Sequence, residues 1–357
     1  MAKRRRLKKG AWPILIALLI AVVTLVTFLV LFIVKQIGLA GVKISFVDKK
    51  STVEVNTVID TATMVESSSG LVDYPPFAND ELGEFVLEFK VTNANGYSKV
   101  FKHSVKVVDT TAPELFLKTK LVVIDELPDY QDIVIGKALD NYYGYLDVQY
   151  RGKVEDKPGI YEIVYFAEDA AGNKAEVKTF YFYQLTPENM TEVFSLNNII
   201  IANKKVPLPK AYSPGRDSKA DLMMSNMKKE AARQGYELTE VSVFRNYSEQ
   251  QKLYNSSLAN NLENNTEKYV APAGHSEHQT GLAYDLTDGT SNFAKSAAFY
   301  WLLDNCAEYG FILRYPEGKE SITGYAFEPW HFRYVGVVAA RQIMENQLTL
   351  EEYLGIE

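Results

Sequence analysis

Residues 12–34, from Trp12 to Val34, carry no charged side chain and consist almost entirely of Leu, Ile, Val, Ala and Phe. As a helix rising about 1.5 Å per residue this run is roughly 34 Å long, enough to cross a hydrocarbon core of about 30 Å. It divides the chain before any other element is considered. Lys3, Arg4, Arg5, Arg6, Lys8 and Lys9 precede it and only Lys35 follows closely, so the positive-inside rule makes residues 1–11 a cytoplasmic basic tail and places everything after about residue 36 outside. A cleaved secretory signal has a shorter apolar core, about 7–15 residues, ending in a small-x-small site. Gly38-Leu39-Ala40 fits that poorly, and an uncleaved single-pass anchor in the cell membrane is the expectation.

The rest of the chain is acidic. Net charge over 357 residues is −7, although the first nine residues carry six cations. A body of that sign lacks the cationic face that phosphate-backbone binding requires, so no nucleic-acid partner is expected. Hydrophobic residues make up 47% of the chain, with 23 Tyr and 18 Phe, and 23% is charged, a globular profile with two or three folded units at this length. The single cysteine, Cys306, excludes an internal disulfide and a thiolate zinc cluster. Flanked by Trp301-Leu302-Leu303 and Tyr309-Gly310-Phe311, it reads as a buried, inert thiol. An exported protein without disulfides suits a Gram-positive bacterium.

Residues 83–96 and 159–172 match at a constant offset of 76. Phe85/Tyr161, Leu87/Ile163 and Phe89/Tyr165 alternate with period 2, as half-buried strands do, and the Asn93–Gly96 and Asp169–Gly172 segments supply turn chemistry. Phe101, Val105 and Val107 then fall opposite Val177, Tyr181 and Tyr183. Two copies of one β-module explain the pattern. The Asp109-Thr-Thr-Ala-Pro113 segment and the turn ending at Asn173 resemble bacterial immunoglobulin-like repeats of surface proteins. That resemblance implies two all-β immunoglobulin-like sandwiches, module 1 over 41–110 and module 2 over 111–185, acting as a spacer or binding a wall or protein partner. His103, with no ligand partner nearby in sequence, reads as a structural or surface histidine.

After Pro187 the pattern becomes mixed. A linker over 186–199 and an α+β domain over 200–357 are expected. Leu222, Met223, Met227 and Ala231 recur at helical spacing after Asp217 and Ser218, a short strand covers Val241–Phe244, Ser248 and Gln251 form a capping-box start, and a helix runs from about Phe293 to Tyr309 before Gly310. Three of the four histidines lie here: His275, His278 and His331. His278, Asp285 and His331 can supply three nitrogen or oxygen ligands, and three protein ligands with an open fourth position are what a hydrolytic zinc site requires. Glu328 is then free to act as a base.

The set Ser276-x-His278-x-x-Gly281-x-Ala283-x-Asp285 with Glu328-x-x-His331 resembles the signature of VanY-type D-alanyl-D-alanine carboxypeptidases, a group of zinc peptidases. Phe244-Arg245 with Gln250, the run Gly310–Pro316 and the run Trp330–Gly336 are similar to further family motifs. The resemblance spans about residues 195–350. It implies zinc held by His278, Asp285 and His331, with Glu328 taking the proton of the attacking water and returning it to the leaving amine. It also implies that Arg245 stabilises the oxyanion or holds the substrate carboxylate, and that Gln250 and Ser276 contact substrate. Asn246 and Phe244 depart from the family's usual Ser and Tyr. His275 falls outside the family ligand positions and reads as a loop or supporting residue, and Tyr315 and Trp330 as pocket walls or core.

The fold class expected is therefore multi-domain: a transmembrane helix, two sandwiches and an α+β zinc peptidase. The function expected is removal of the terminal D-Ala from peptidoglycan stem peptides outside the cytoplasm. L,D-carboxypeptidase action on tetrapeptides, endopeptidase cleavage, and a wall-binding scaffold with an inactive peptidase domain are the alternatives.

Overall fold

The computed structural model describes residues 11–259 and 263–357; the expected basic tail lies outside them apart from Ala11. A helix runs over Ala11–Ala40, six residues beyond the expected end. Its segment Trp12–Ala40 is long and apolar enough to cross a membrane, and its most apolar window is uncovered by the rest of the protein. The chain divides into two compact units. One holds the chain up to Glu114 together with Leu139–Leu146 and Glu168–Lys174, and the other holds Leu115–Ala138, Asp147–Ala167 and Ala175–Glu357.

The repeat is visible as repeated topology. In the first copy the strands run in the order Lys50–Glu54, Ser98–Val108, Gly83–Thr92, Leu71–Asp73, the first pair parallel and the others antiparallel. In the second the order is Leu121–Ile124, Lys174–Tyr183, Gly159–Glu168, Gln149–Arg151, again with one parallel pair at the edge. The period-2 pattern does what it must: Leu87, Phe89, Val91, Val105 and Val107 are buried in the first sheet, and Ile163, Tyr165, Tyr181 and Tyr183 in the second. Each long hairpin turns on a glycine at positive φ, Gly96 at 80° and Gly172 at 92°, the conformation that only a residue without Cβ adopts cheaply. His103 is buried, bonds Ser51 Oγ through Nε2 at 2.8 Å and stacks on Phe46, a structural role as expected.

The second unit contains a four-stranded antiparallel sheet in the order Thr239–Ser242, Ala283–Thr287, His331–Tyr334, Phe311–Leu313. Its first core gathers Tyr284, Leu286, Phe311 and Phe332 with Met224, Met227, Trp301 and Leu302. A second core joins Leu121 and Phe182 to Met190, Phe194, Ile343 and Leu350, so residues of the 186–199 stretch are packed inside this unit.

Several local expectations shift. The helix Ser218–Arg233 is capped by Asp217 and buries Met227 and Ala231 as expected, but Ala220 and Met224 complete the buried stripe, while Leu222 is exposed and Met223 half-buried. The strand expected at Val241–Phe244 is Thr239–Ser242 instead. The helix Tyr247–Ala259 starts on a reciprocal pair formed by Asn246 and Glu249 rather than Ser248 and Gln251: Glu249 N donates to Asn246 Oδ1 at 3.0 Å and Asn246 N to Glu249 Oε2 at 2.9 Å. The departure from the family pattern at Asn246 is thus a helix cap.

Between Phe293 and Tyr309 the chain forms a helix only over Ala297–Asn305, capped by Ser296 and flanked by 3₁₀ turns. Cys306 follows it, fully buried, and burial pushes its thiol up to about 12. Iodoacetamide should therefore leave the native chain unmodified at neutral pH and alkylate it once denatured, as intact-mass measurement would read.

Candidate active site

Three local structures bring the site together. Asp285 and His331 are register partners on adjacent antiparallel strands, so their side chains share one face of the sheet. His278 sits in the 3₁₀ turn Glu277–Thr280 just ahead of the Asp285 strand. Ser276 caps that turn by accepting from His278 N, and Gly281 closes it at φ 71°. A Cβ on Gly281 would stand 2.0 Å from Gly215 O, so that position requires glycine. Glu328 is fixed one turn ahead of its strand, where His331 N donates to Glu328 O and Glu328 N to Tyr315 O, both at 3.1 Å.

The side chains converge. His278 Nε2 lies 3.2 Å from Asp285 Oδ2, and His331 Nδ1 lies 3.2 Å from Asp285 Oδ1 and 3.5 Å from Glu328 Oε2. One ligand atom from each of His278, Asp285 and His331 lies within 4.8 Å of the other two. Each imidazole has its other nitrogen engaged, His278 Nδ1 at Val243 O and His331 Nε2 toward Glu277 Oε2 at 3.4 Å. That leaves Nε2 of one ring and Nδ1 of the other facing the centre, with the outward hydrogen bonds that fix metal-binding imidazoles. Asp285 Oδ1 is buried without a hydrogen bond. Two imidazoles and one carboxylate, an oxygen of which is buried without a partner, converge on one point and fit a borderline cation such as zinc.

Electrostatics separate the two carboxylates. Burial alone would raise Asp285, but the two imidazoles hold it well below the ordinary carboxylate range. Glu328 goes the other way: burial and the nearby carboxylates of Asp285 and Glu277 push it up to about 7, against the pull of His331 and Arg314. One carboxylate is thereby kept anionic and the other poised to exchange a proton near neutrality.

Arg245 follows the strand Thr239–Ser242, with its N–H on His278 O. Its fork donates to Gln250 Oε1 at 2.8 Å and Ser242 Oγ at 2.9 Å. It lines the same cleft as Ser276, His278, Asp285, Glu328 and His331. Gln250 is buried and donates its other end to Ala271 O, so both ends of its amide are held inside the protein. Tyr315 and Trp330 line the cleft, with the Tyr315 ring 4.9 Å from that of His331. His275 bonds Asn203 O through Nδ1 and is absent from the ligand cluster.

A family model described as D-alanyl-D-alanine carboxypeptidase, VanY, matches residues 216–337, the stretch that carries Arg245, His278, Asp285, Glu328 and His331. The putative carboxypeptidase YodJ of Bacillus subtilis is 39% identical over 182 residues, covering 44% of this chain and 67% of that protein. The chain belongs to the VanY family. It is a carboxypeptidase. Among solved structures, the LdcB LD-carboxypeptidase is 39% identical with a TM-score of 0.45, covering 48% of this chain and 95% of that one. The vancomycin-resistance D,D-pentapeptidase VanY, solved with Zn(II), is 33% identical with a TM-score of 0.40, covering 43% and 97%.

In this VanY-family chain the sequence reading passed over Glu277. Its carboxylate is fully enclosed: Oε1 accepts from Arg314 Nε at 2.7 Å and lies 2.9 Å from Arg333 Nη1 in an ion pair, while Oε2 faces His331. Arg314 in turn pairs with Glu351, beyond the family match, at 2.6 and 2.9 Å. The signal was present as an acidic residue beside His278, but its partners lie 37 and more residues away in sequence.

Proposed function

We propose that this chain is a membrane-anchored zinc carboxypeptidase working outside the cytoplasm, which removes the terminal D-Ala of peptidoglycan stem peptides. The observation that carries the reading is the convergence of His278 Nε2, His331 Nδ1 and the Asp285 carboxylate, with Glu328 at 3.5 Å on one side. Bound there, zinc would polarise the scissile carbonyl and lower the pKa of water to about 7. Glu328 accepts the proton of the attacking water and returns it to the leaving amine. Arg245, held by Gln250 and Ser242, presents its remaining N–H groups to the substrate's terminal carboxylate or to the developing oxyanion. Gln250 acts by aiming Arg245, and Ser276 keeps its hydroxyl hydrogen available to substrate. The helix Ala11–Ala40 supports the anchor, and the two β-repeats read as immunoglobulin-like modules between it and the catalytic residues.

The test is release of free D-Ala by the full chain in detergent, on muramyl pentapeptide and on tetrapeptide, before and after dialysis against a chelator. Pentapeptide cleavage that chelation abolishes and zinc restores is the expected result. Cleavage of tetrapeptide alone overturns the D,D assignment in favour of L,D action by the same residues. Cleavage unaffected by chelation overturns the zinc reading, and cleavage of neither substrate overturns the substrate class.

A further inference from the structure

Asp109, Asp140 and Asp169, all in the first compact unit, are brought together at the ends of three strands, Asp140 closing Ala138–Asp140 and the other two following Ser98–Val108 and Gly159–Glu168. They are 7%, 4% and 6% exposed, and one carboxylate oxygen of each lies within 4.8 Å of the others. Each spends oxygen atoms on its own loop. Asp109 Oδ1 accepts from Thr111 N, Asp140 Oδ1 from Tyr142 N and Tyr143 N, and Asp169 takes both Asn173 N and Asn173 Nδ2. The second oxygens of Asp109 and Asp140 are buried with no hydrogen-bond partner.

An orphaned buried carboxylate oxygen is costly, and two that share a pocket with a third carboxylate repel as well. Burial and the charges of Asp140, Asp169 and Glu54 push Asp109 up. Either a proton or a cation must relieve this crowding. The loops argue for the cation: their hydrogen bonds pin one oxygen of Asp109 and of Asp140 and leave the other free, which is what a ligand set needs and a shared proton does not. The donors are carboxylates with no imidazole or thiolate among them, a hard set that suits calcium.

We infer that Asp109, Asp140 and Asp169 form a calcium site that ties the end of the strand Ser98–Val108 to the Asp140–Gly144 and Asp169–Asn173 turns. It shares no residue with the catalytic cleft. Its affinity belongs to the range of extracellular calcium modules, about 10⁻⁴–10⁻³ M.

Terbium, which takes calcium sites and is sensitised by tyrosine, serves as the probe, since Tyr142 and Tyr143 follow Asp140 and donate their backbone N–H groups to it. For the full chain in detergent, terbium emission excited through tyrosine should appear and be displaced by Ca²⁺, and millimolar Ca²⁺ should raise the midpoint of thermal unfolding over that in EGTA. Asp140→Asn and Asp109→Asn keep the Oδ1 acceptor for their loops and should each weaken Ca²⁺ binding roughly tenfold or more. His278→Ala, which damages only the other cluster, should leave the calcium response intact. Should Asp140→Asn fail to fold, the wild-type titration and Asp109→Asn still decide. Absence of Ca²⁺-displaceable emission from wild type, a response to Mg²⁺ but not Ca²⁺, or unchanged affinity in both asparagine variants would each overturn the assignment.

Discussion

Glu328→Ala should lose about 10²–10⁴-fold in kcat while still binding one equivalent of zinc. The two halves of that expectation come from different parts of the geometry. The proposed ligand set does not need Glu328, because His278, Asp285 and His331 converge on their own. The proton path is not, because among the described residues of the cleft Glu328 is the carboxylate poised to exchange a proton near neutrality. Its value of about 7 also gives a pH dependence. Below its pKa the carboxyl is protonated and cannot accept, so kcat/KM should fall on acidification. A bound cation beside it pulls the pKa down from about 7, which places the acid limb below pH 7. Loss of zinc in Glu328→Ala, measured by metal analysis, would make Glu328 a ligand, and an acid limb unchanged in the residual activity of the variant would assign the base elsewhere.

The parts of this fold that could be read in the sequence are those where neighbours in space are also neighbours in sequence. The apolar run, the two β-repeats and the His278–Asp285 spacing are local, and each dictates its element through period or length. The convergence of His278, Asp285 and His331 rests on one long-range step, the pairing of the Asp285 and His331 strands, which the family resemblance implied and no local pattern dictates. What was misread is also local but competitive. Leu222 and Met224 both lie on the helix Ser218–Arg233 at plausible spacings, and only tertiary packing chooses which is buried. Asn246 and Ser248 are both good caps; the choice fell to Asn246 because Glu249 can reach back to its N–H. Glu277 was illegible for another reason. A buried carboxylate looks like any surface acid until Arg314, Arg333 and Glu351 are known to surround it. The aspartates at 109, 140 and 169 share that property: no pattern in sequence separates them from turn-forming aspartates until the loops meet.

Glu277→Ala should lower the stability of the second unit by about 3–5 kcal/mol, which for a unit of this size moves its unfolding midpoint by roughly 6–20 °C. Arg314 and Arg333 are 1% and 0% exposed, and together with Glu277 and Glu351 they make a buried set of two cations and two anions. Removing one anion strands a guanidinium charge away from water, and that unpaired charge dominates the cost. The measurement belongs in excess chelator, so that metal binding does not contribute. Although burial opposes it, Arg314 and Arg333 hold the Glu277 carboxyl far below its ordinary 4.5. A depressed carboxylate contributes fully above the unfolded pKa and loses its contribution as pH falls through the folded value. The part of the gap owed to the Glu277 carboxylate should therefore hold from about pH 5 upward and fade in stronger acid. The part made through His331, which against burial Asp285 and Glu277 hold up at about 9, is full below about pH 6.5 and fades as the pH rises toward 9. A second readout separates structure from function. Because Glu277 Oε2 faces His331 Nε2 and orients the ring whose Nδ1 points at the ligand centre, the folded variant should bind zinc about 10–100-fold more weakly. A destabilised variant with wild-type zinc affinity would reduce Glu277 to a partner of the two arginines.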